Sequence, residues 1–209
     1  MMLYRALRWT MSLYFRARMK IRTEGEESVP DKGPFLLVLS HQSHLDSLLL
    51  HTFCPRLVFT LAKSSVFRSR FMAWLAPRVG ALPTRRYQID PQAVRVALRL
   101  TQRGEGVGVF PEGERSWDGR LQPLRSGAIK LLLKAGVPVI PCGLVGTYEV
   151  WPRWGHMNWL RGRFGREPVI IRYGEPIHFG PHDDRASRER ARPAATARIE
   201  TALQAVMAP

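Results

Sequence analysis

The sequence predicts a single α/β domain in which helices flank a mixed, mostly parallel sheet. The chain has 209 residues, 45% of them hydrophobic and 23% charged, which is a globular composition and excludes extended disorder. Short, wholly apolar runs typical of buried strands alternate with segments of helical periodicity, a pattern that favours parallel strands covered on both faces. No repeat, low-complexity tract or linker divides the chain, so we expect one core.

The elements follow from these runs in chain order. Strands are predicted at 35–39, 57–61, 80–82, 107–110, 137–145 and 169–173. Helices are predicted from a start near Ser43, at 66–75, at 91–103 and at 127–134, with stops at Gly104 and Gly136. A polar loop at 181–193 and a short helix with Ile199, Leu203 and Val206 on one face complete the chain.

The N-terminal segment 1–24 is predicted to form a basic amphipathic helix. Its first 22 residues carry six Arg or Lys and no acid. On a helix, one side is apolar, with Phe15 beside it, and the other is polar. The apolar side has Leu3, Leu7, Met11 and Tyr14, and the polar side has Arg5, Arg8, Ser12 and Arg16. Two interpretations stay open: the helix lies in the headgroup layer of a membrane, or it packs on the body as an ordinary first helix.

A net charge of +15 and a sequence pI near 11.1 indicate an anionic partner. The candidates are nucleic acid, the anionic face of a bilayer and a phosphorylated small molecule. We expect no nucleic acid, since no recognisable nucleic-acid-binding motif is present. No apolar run approaches the ~20 residues of a spanning helix, and the N-terminus lacks the pattern of a secretory signal. Cys54 and Cys142 share no redox or zinc spacing, which favours a reducing compartment.

His41 and Asp46 form the first candidate for chemistry. They are five positions apart, about 140° around a regular helix, so both cannot project from one helical face. If Ser43 caps the helix and Asp46 is its third residue, His41 lies in the entering loop and can fold back onto the Asp46 carboxylate. Such a pair provides a general base, because the carboxylate fixes the tautomer of the imidazole. The alternative is that Asp46 only neutralises a helix N-terminus.

The turn at 110–116 is the second candidate. Its proline and glycine predict a tight turn after a strand, with a positive φ at Gly113. Arg115, with Arg86 from the 80–86 segment, could clamp a phosphate. We expect Glu112 to orient these arginines or to accept from a substrate hydroxyl. The alternative is a solvated turn with an internal Glu–Arg pair.

Other catalytic classes are less well supported by the residues. A Gly-x-Ser-x-Gly elbow is missing, and neither cysteine has a histidine beside it in sequence, so we expect no covalent acyl-enzyme. The spacing of His41, His44 and Asp46 matches no standard metal signature, and we expect no metal. His44 is interpreted as a helix-surface or packing residue.

Four segments stand in the order and spacing of the four motifs of the glycerolipid acyltransferases. They are 39–46, 80–86, 110–116 and 137–141, and 174–177 closes the region. Over roughly 33–177 the chain resembles this family, and within it the lysophosphatidate acyltransferases of the bacterial PlsC type. The resemblance implies the α/β fold of that family, a membrane-associating helix at 1–24 and a catalytic domain at 25–209.

The resemblance also implies roles for individual residues. His41 would be the base and Asp46 its orienting partner. The acceptor phosphate would lie at Arg86, Glu112, Gly113 and Arg115, and Pro141 near the acyl donor. Two departures from the family pattern are Ser40, where asparagine is usual, and Glu114, where threonine is usual. Glu114 adds a negative charge at the phosphate site, and we expect Arg125, which stands where lysine is frequent, to offset it.

The activity implied is transfer of a fatty acyl group from acyl-CoA or acyl carrier protein to the free hydroxyl of a lysophospholipid. A thioester is already activated, so no cofactor, nucleotide or metal is expected. The partners would be the acyl donor, the lysolipid and an anionic membrane surface, with the protein on the cytoplasmic face of the inner membrane. Two alternatives stay open: an acyltransferase for a glycolipid or amino-acid-derived lysolipid, and a non-catalytic module that binds membranes or nucleic acid.

Overall fold

A computed structural model describes residues 2–84, 91–156, 168–180, 182 and 184–208. Within them, seven strands join one sheet, namely β1 (Ile21–Glu24), β2 (Phe35–Leu39), β3 (Val58–Lys63), β4 (Ala81–Thr84), β5 (Gly106–Val109), β6 (Val139–Val145) and β7 (Val169–Tyr173). The strand order is β1-β7-β6-β2-β5-β3-β4. Neighbouring strands are parallel except for the antiparallel pair β6 and β7. The predicted fold class is confirmed.

Helices cover both faces of this sheet. They are α1 (Met2–Arg18), α2 (Asp46–Phe53), α3 (Arg70–Arg78), α4 (Pro91–Gln102), α5 (Ser126–Ala135), α6 (Thr147–Val150) and α7 (Arg185–Met207). One core cluster joins the sheet to α1 and α2, and a second joins the opposite face to α4, α5 and α7. A 3-10 turn at Ser64–Arg68 precedes α3, which begins later than predicted because the Ser69 side chain accepts the Met72 N–H at 3.0 Å.

The position of β2 in the middle of the sheet explains why its sequence is continuously apolar. All five of its residues are buried. Leu37 and Leu39 belong to the core cluster on the α2 face, whereas Leu36 and Val38 belong to the cluster on the α5 face. Because side chains alternate along a strand, a strand covered on both faces needs apolar residues at every position.

Polar segments follow strands at 40–46, 84–86 and 110–116. The structure shows two of them at the carboxyl ends of the parallel strands. β2 runs into residues 40–46, and the adjacent parallel strand β5 runs into 110–116. The third segment follows β4, and its residues Arg85 and Arg86 lie outside the described part of the chain. Ligands of open α/β sheets bind beyond the carboxyl ends of the strands.

Two elements differ from the sequence prediction. β1 was not predicted, yet it pairs in parallel with β7 at the edge of the sheet. The loop predicted at 181–193 is wrong from residue 185 onwards, because the Asp184 side chain caps α7 by accepting the Ser187 N–H at 2.7 Å. The helix continues through Pro193, and the predicted apolar face with Ile199 still packs in the core.

The N-terminal helix packs on the body of the protein. It ends at Arg18, and the strand Ile21–Glu24 already belongs to the sheet, so the helix is shorter than the predicted segment 1–24. Phe15 is fully buried, and the Arg8 Nε donates to the Thr52 carbonyl near the end of α2 at 2.8 Å. The structure therefore shows the packing of an ordinary first helix.

A second side of α1 stays exposed, and of the side predicted from the helical wheel only Leu3 is among its exposed large apolar residues. Met11 and Tyr14, predicted on the lipid-facing side, pack against the core cluster. The large apolar residues left exposed on α1 are Met2, Leu3, Trp9 and Leu13. None of the helices in the described ranges combines the length and the apolar character that crossing a membrane requires.

Candidate active site

His41 and Asp46 meet as the sequence predicts. His41 lies in the loop after β2, and Asp46 begins α2. The His41 Nδ1 lies 2.8 Å from the Asp46 Oδ2, and the side chains are 6% and 0% exposed. A carboxylate only accepts, so Nδ1 carries the proton and donates, and Nε2 keeps the lone pair that can take a proton from a ligand.

Local backbone geometry holds the Asp46 carboxylate. Its Oδ2 accepts the backbone N–H groups of Gln42 and Ser43, both at 2.7 Å, so the loop wraps around this oxygen. The Thr147 hydroxyl donates to Oδ1 from 2.9 Å. Asp46 thus stabilises the N-terminal region of α2 and orients His41 at the same time, and the two interpretations of this residue are compatible.

The predicted cap by the Ser43 hydroxyl is wrong. The helix begins at Asp46, its N-cap position is Leu45, and no side chain caps it there. The Ser43 hydroxyl instead donates to the Trp151 carbonyl at 2.7 Å and accepts the Leu45 N–H at 3.1 Å. Ser43 therefore ties the loop to the segment that follows α6.

The turn at 110–116 braces His41 from the other side. The His41 N–H donates to the Glu112 Oε1 at 2.6 Å, and the His41 carbonyl accepts the Ser116 N–H at 2.7 Å. The His41 ring lies against the Phe110 ring, with 4.1 Å between centroids and 30° between planes. The backbone and the ring of the candidate base are therefore both held by this turn.

Glu112 acts on the His41 loop rather than on the arginines. Its Oε1 accepts from the His41 backbone, its Oε2 accepts the Gln122 N–H at 2.8 Å, and the residue is 1% exposed. Burial raises the pKa of Glu112 to about 7. Both oxygens therefore bind backbone N–H groups and not the arginines, and a contact of Glu112 with a substrate hydroxyl stays a prediction.

Gly113 adopts the conformation that the sequence predicts. Its φ is +74°, in the left-handed region, and its N–H donates to the Phe110 carbonyl at 3.1 Å to close the turn. A Cβ at this position would come within 3.2 Å of the Arg125 side chain. The positive φ of the turn thus favours glycine, and a side chain here would also require Arg125 to shift.

Arg115 is positioned by His44, a role that sequence reasoning missed. The Arg115 Nη1 lies within hydrogen-bonding range of the His44 Nδ1. His44 stacks on Trp151, with 4.5 Å between ring centroids, and burial together with the Arg115 charge lowers its pKa. A neutral imidazole accepts a hydrogen bond from a guanidinium, so His44 orients the arginine. A helical wheel shows none of this, because the contact joins two loops.

Arg115, Arg125 and Arg153 form the arginine rim of the site. Arg125, the second of them, is paired with Glu114. The Arg125 Nη2 lies 3.0 Å from the Glu114 Oε1, so the expected offset of this negative charge takes place. Arg153, which sequence reasoning missed, binds the other carboxylate oxygen at 2.9 Å and donates to the Arg115 carbonyl at 2.8 Å. It also lies over the Trp117 ring, 3.7 Å from its centroid. The Trp-rich, basic composition after residue 150 was the available sign.

Two predicted site residues are left to place. Arg86 lies outside the described residues. Pro141 is on β6, where it pairs with Val38 and lines a cavity of about 550 Å³ against α7, on the face of the sheet opposite α2. Its proximity to an acyl donor stays a prediction. Within the described ranges, no three His, Cys, Asp or Glu side chains gather as metal ligands would.

The fold and the site define an α/β protein in which a buried histidine–aspartate pair lies near Arg115, Arg125 and Arg153. A family model described as Acyltransferase matches residues 20–145, more than half of the chain. The chain belongs to this family, and the resemblance seen in the sequence is confirmed.

Individual relatives agree with this assignment. The chain is 33% identical to the chloroplastic 1-acyl-sn-glycerol-3-phosphate acyltransferase LPAT1 of Arabidopsis thaliana, over 83% of this chain and 48% of that protein. It is 25% identical to the 1-acyl-sn-glycerol-3-phosphate acyltransferase of Bacillus subtilis, over 81% and 80%. The chain spans less than half the length of the chloroplastic plant relatives, 48% for LPAT1 and 39% for a Brassica napus relative.

The fold is shared with a solved structure. The crystal structure of the 1-acyl-sn-glycerophosphate acyltransferase PlsC from Thermotoga maritima superposes with a TM-score of 0.76. The match covers 97% of this chain and 79% of that one, at 22% sequence identity.

Proposed function

We propose that this protein transfers a fatty acyl group from an acyl thioester to the free hydroxyl of a lysophospholipid, with lysophosphatidate as the preferred acceptor. The observation that carries the proposal is the buried hydrogen bond of 2.8 Å between the His41 Nδ1 and the Asp46 Oδ2. This bond leaves the His41 Nε2 as the proton acceptor, at the carboxyl ends of the strands and near the arginine rim. The relatives named 1-acyl-sn-glycerol-3-phosphate acyltransferases support this choice of acceptor.

The chemistry proceeds in one displacement. His41 Nε2 takes the proton of the acceptor hydroxyl as its oxygen attacks the thioester carbonyl carbon. The new C–O ester bond forms, the C–S bond breaks, and the leaving thiolate takes the proton from the imidazolium. Asp46 stabilises the imidazolium that forms in this step.

The acceptor phosphate would bind at the arginine rim. Arg115 is held by His44 and lies on the same turn that braces His41, so a phosphate on it places the neighbouring hydroxyl close to the base. Arginine suits phosphate because its planar fork donates two parallel hydrogen bonds. Arg86 would be the second phosphate ligand, and Gly113 would permit close approach of the backbone.

Membrane association would bring the protein to its lipid substrates. α1 exposes Trp9 and Leu13, 69% and 60% accessible, beside the exposed Arg5 and Arg16. Aromatic and aliphatic side chains next to arginines fit the interfacial layer of an anionic leaflet. We place the protein on the cytoplasmic face of the inner membrane, where acyl-CoA and acyl carrier protein are available.

The membrane proposal is tested best with point variants. Deleting residues 1–20 would uncover the core, because Phe15 and Met19 are buried in it. The double substitution Trp9→Ser with Leu13→Ser should lower binding to anionic vesicles at least about tenfold, from the apolar area withdrawn from lipid. Phe71→Ser with Trp74→Ser, which removes two exposed apolar side chains from α3, is the matched control and should bind as wild type. Equal vesicle binding by both variants would refute the proposal for α1.

A second candidate is acyl transfer to a different lipid acceptor. The observation that favours it is Glu114, whose charge lies beside Arg115 and engages Arg125 and Arg153. These pairs reduce the positive charge available to a phosphate and would suit an acceptor with a cationic or neutral headgroup.

An acyl-transfer assay separates the candidates. The purified protein is given radiolabelled acyl-CoA, or acyl carrier protein charged with the same acyl chain, and a panel of lysolipids on vesicles. Fastest transfer to lysophosphatidate supports the first candidate, and fastest transfer to an uncharged or zwitterionic lysolipid supports the second. A protein that binds the vesicles and acylates no lysolipid would refute both and leave a non-catalytic binding module.

A further inference from the structure

A second cluster of positive charge lies on the opposite face of the sheet from α2. A cleft of about 520 Å³ opens between the first turns of α4, the exposed side of α5 and the start of α7. Five cations and one acid line it, namely Arg95, Lys130, Lys134, Arg185, Arg188 and Glu189. Cations concentrated in a concave space repel one another, and a bound anion relieves that repulsion.

The acid of the cleft offsets only part of this charge. Glu189 lies 2.7 Å from the Lys130 Nζ and 3.3 Å from the Arg192 Nε, so it is already shared between two cations. The pairs are about 40% exposed and contribute little to stability. The remaining lining therefore carries a net positive charge of several units.

The start of α5 adds backbone donors to the cleft. Ser126 and Gly127 lie in its wall, and the N-cap residue Arg125 makes no side-chain cap. A Cβ at Gly127 would meet nothing within 4 Å, so the backbone there is open to a ligand. The N–H groups of a first helical turn lack intrahelical partners and favour phosphate.

The shape of the cleft fits a small molecule better than a protein surface. Its volume lies within the roughly 300–1,000 Å³ of ligand sites, whereas a protein partner needs a flatter and wider area. Pro91, Val94 and Leu131 provide apolar walls between the cations. A nucleotide has this chemistry, because it joins a largely apolar ring system to several phosphates.

The cleft is connected to the candidate active site through α5. Arg125 precedes Ser126, and its Nε donates to the Glu112 carbonyl at 3.2 Å. The carboxylate of Glu112 in turn holds the His41 backbone. In acyl-CoA the pantetheine arm separates the thioester from the nucleotide phosphates, so an enzyme that uses it needs one site for each end.

We propose that this cleft binds the phosphorylated nucleotide end of an acyl-CoA donor, with Arg95 and Lys134 among its phosphate ligands. The proposal rests on the acyl-transfer function proposed above. It selects coenzyme A over acyl carrier protein as the carrier of the acyl group.

Calorimetric binding of coenzyme A tests the site without turnover. The double variant Arg95→Glu with Lys134→Glu should raise the Kd for coenzyme A at least about tenfold, as expected for loss of charge-assisted hydrogen bonds. The control is Arg99→Glu with Arg103→Glu, which changes the charge equally at exposed positions outside the cleft lining. Its Kd should stay within about twofold of wild type. Wild type should bind 3′-dephospho-coenzyme A more weakly than coenzyme A.

Kinetics then connect the cleft to the reaction. The cleft variant should raise KM for acyl-CoA by a similar factor, with kcat within about twofold and KM for the lysolipid unchanged. Unchanged Kd for coenzyme A in the variant would overturn the proposal. Weaker binding confined to acyl carrier protein, or confined to anionic vesicles, would overturn it as well. The milder pair Arg95→Gln with Lys134→Gln repeats the test if the reversed charges unfold the protein.

The result is separable from the function proposed above. Coenzyme A bound in the cleft of a protein that acylates no lysolipid would contradict the acyltransferase function and leave a nucleotide site. Acyl transfer from acyl-CoA with an unaffected cleft variant would contradict the site and leave the function intact.

Discussion

The histidine–aspartate pair and the arginine rim lie side by side, yet they are held in different ways. Asp46 is fully buried and accepts short hydrogen bonds from neighbouring backbone. His41 is 5% exposed and is held by Asp46 and by the turn at 110–116. The rim is held by long side chains and ion pairs, and the Arg125 side chain is 64% exposed. Buried hydrogen bonds therefore hold the candidate base, whereas ion pairs between long side chains hold the rim.

This difference indicates which property each region controls. A buried pair with several donors on its carboxylate resists change, so the catalytic step should tolerate little substitution. The exposed Arg125 of the rim can change its charge at little cost to folding, because surface ion pairs contribute about 0–1 kcal/mol. Among proteins with this fold, the proton transfer should therefore stay the same, whereas the choice of acceptor should vary.

Among the substitutions that compare the two regions, the largest effect is expected from Asp46→Asn, which tests the buried pair. The amide keeps the shape, but it cannot accept every hydrogen bond that the carboxylate accepts, and it no longer enforces donation by the His41 Nδ1. We expect kcat to fall about 10²- to 10⁴-fold with little change in KM for the lysolipid. Steady-state kinetics measure both constants, with Asp31→Asn, an exposed aspartate, as control. Retention of wild-type kcat would show that the pair is structural.

A smaller effect is expected from Arg115→Ala, which tests the rim. Loss of a charge-assisted hydrogen bond to phosphate costs about 1.5–3 kcal/mol, so KM for lysophosphatidate should rise about 10- to 100-fold while kcat changes less. Arg120→Ala removes an exposed arginine from the same loop and serves as the control. If KM for phosphate-bearing and phosphate-free acceptors changes equally, Arg115 is not a phosphate ligand.

The smallest effect is expected from Glu112→Gln, which links the two regions. In the folded protein the pKa of Glu112 is raised to about 7, so between about pH 4.5 and 7 the folded state binds more protons than the unfolded state. Its contribution to the free energy of unfolding therefore falls as the pH rises through that window, by at most about 1.4 kcal/mol per pH unit.

Denaturant unfolding at pH 5 and pH 7.5 checks this prediction. Glu112→Gln should remove that decrease, and the exposed Glu27→Gln should keep it. We also expect a several-fold decrease in kcat for Glu112→Gln, because one of the two backbone donors on the carboxylate loses its acceptor. Identical pH dependence in wild type and Glu112→Gln would contradict the assignment.

The sequence predicts what depends on local pattern. The five apolar residues of β2 specify a strand buried on both faces, and the spacing of His41 and Asp46 requires a loop before the helix. A positive φ at Gly113 follows from the residue type. In each case the physical cause lies within a few residues of its effect.

The features that the sequence did not predict depend on contacts between residues distant in the chain, which periodicity does not encode. β1 has a mixed sequence and becomes a strand because β7 offers an unpaired edge. α7 continues through Pro193 because its apolar face packs on the sheet. The roles of His44 and Arg153 arise where loops distant in sequence meet.

The central claim is that the His41 Nε2 accepts the proton of the acceptor hydroxyl, and His41→Ala tests it most directly. The measurement is the single-turnover rate of acyl transfer to lysophosphatidate, with lysolipid binding measured in parallel. We predict a rate at least about 10³-fold below wild type with binding retained. A variant that transfers the acyl group at the wild-type rate would contradict the claim.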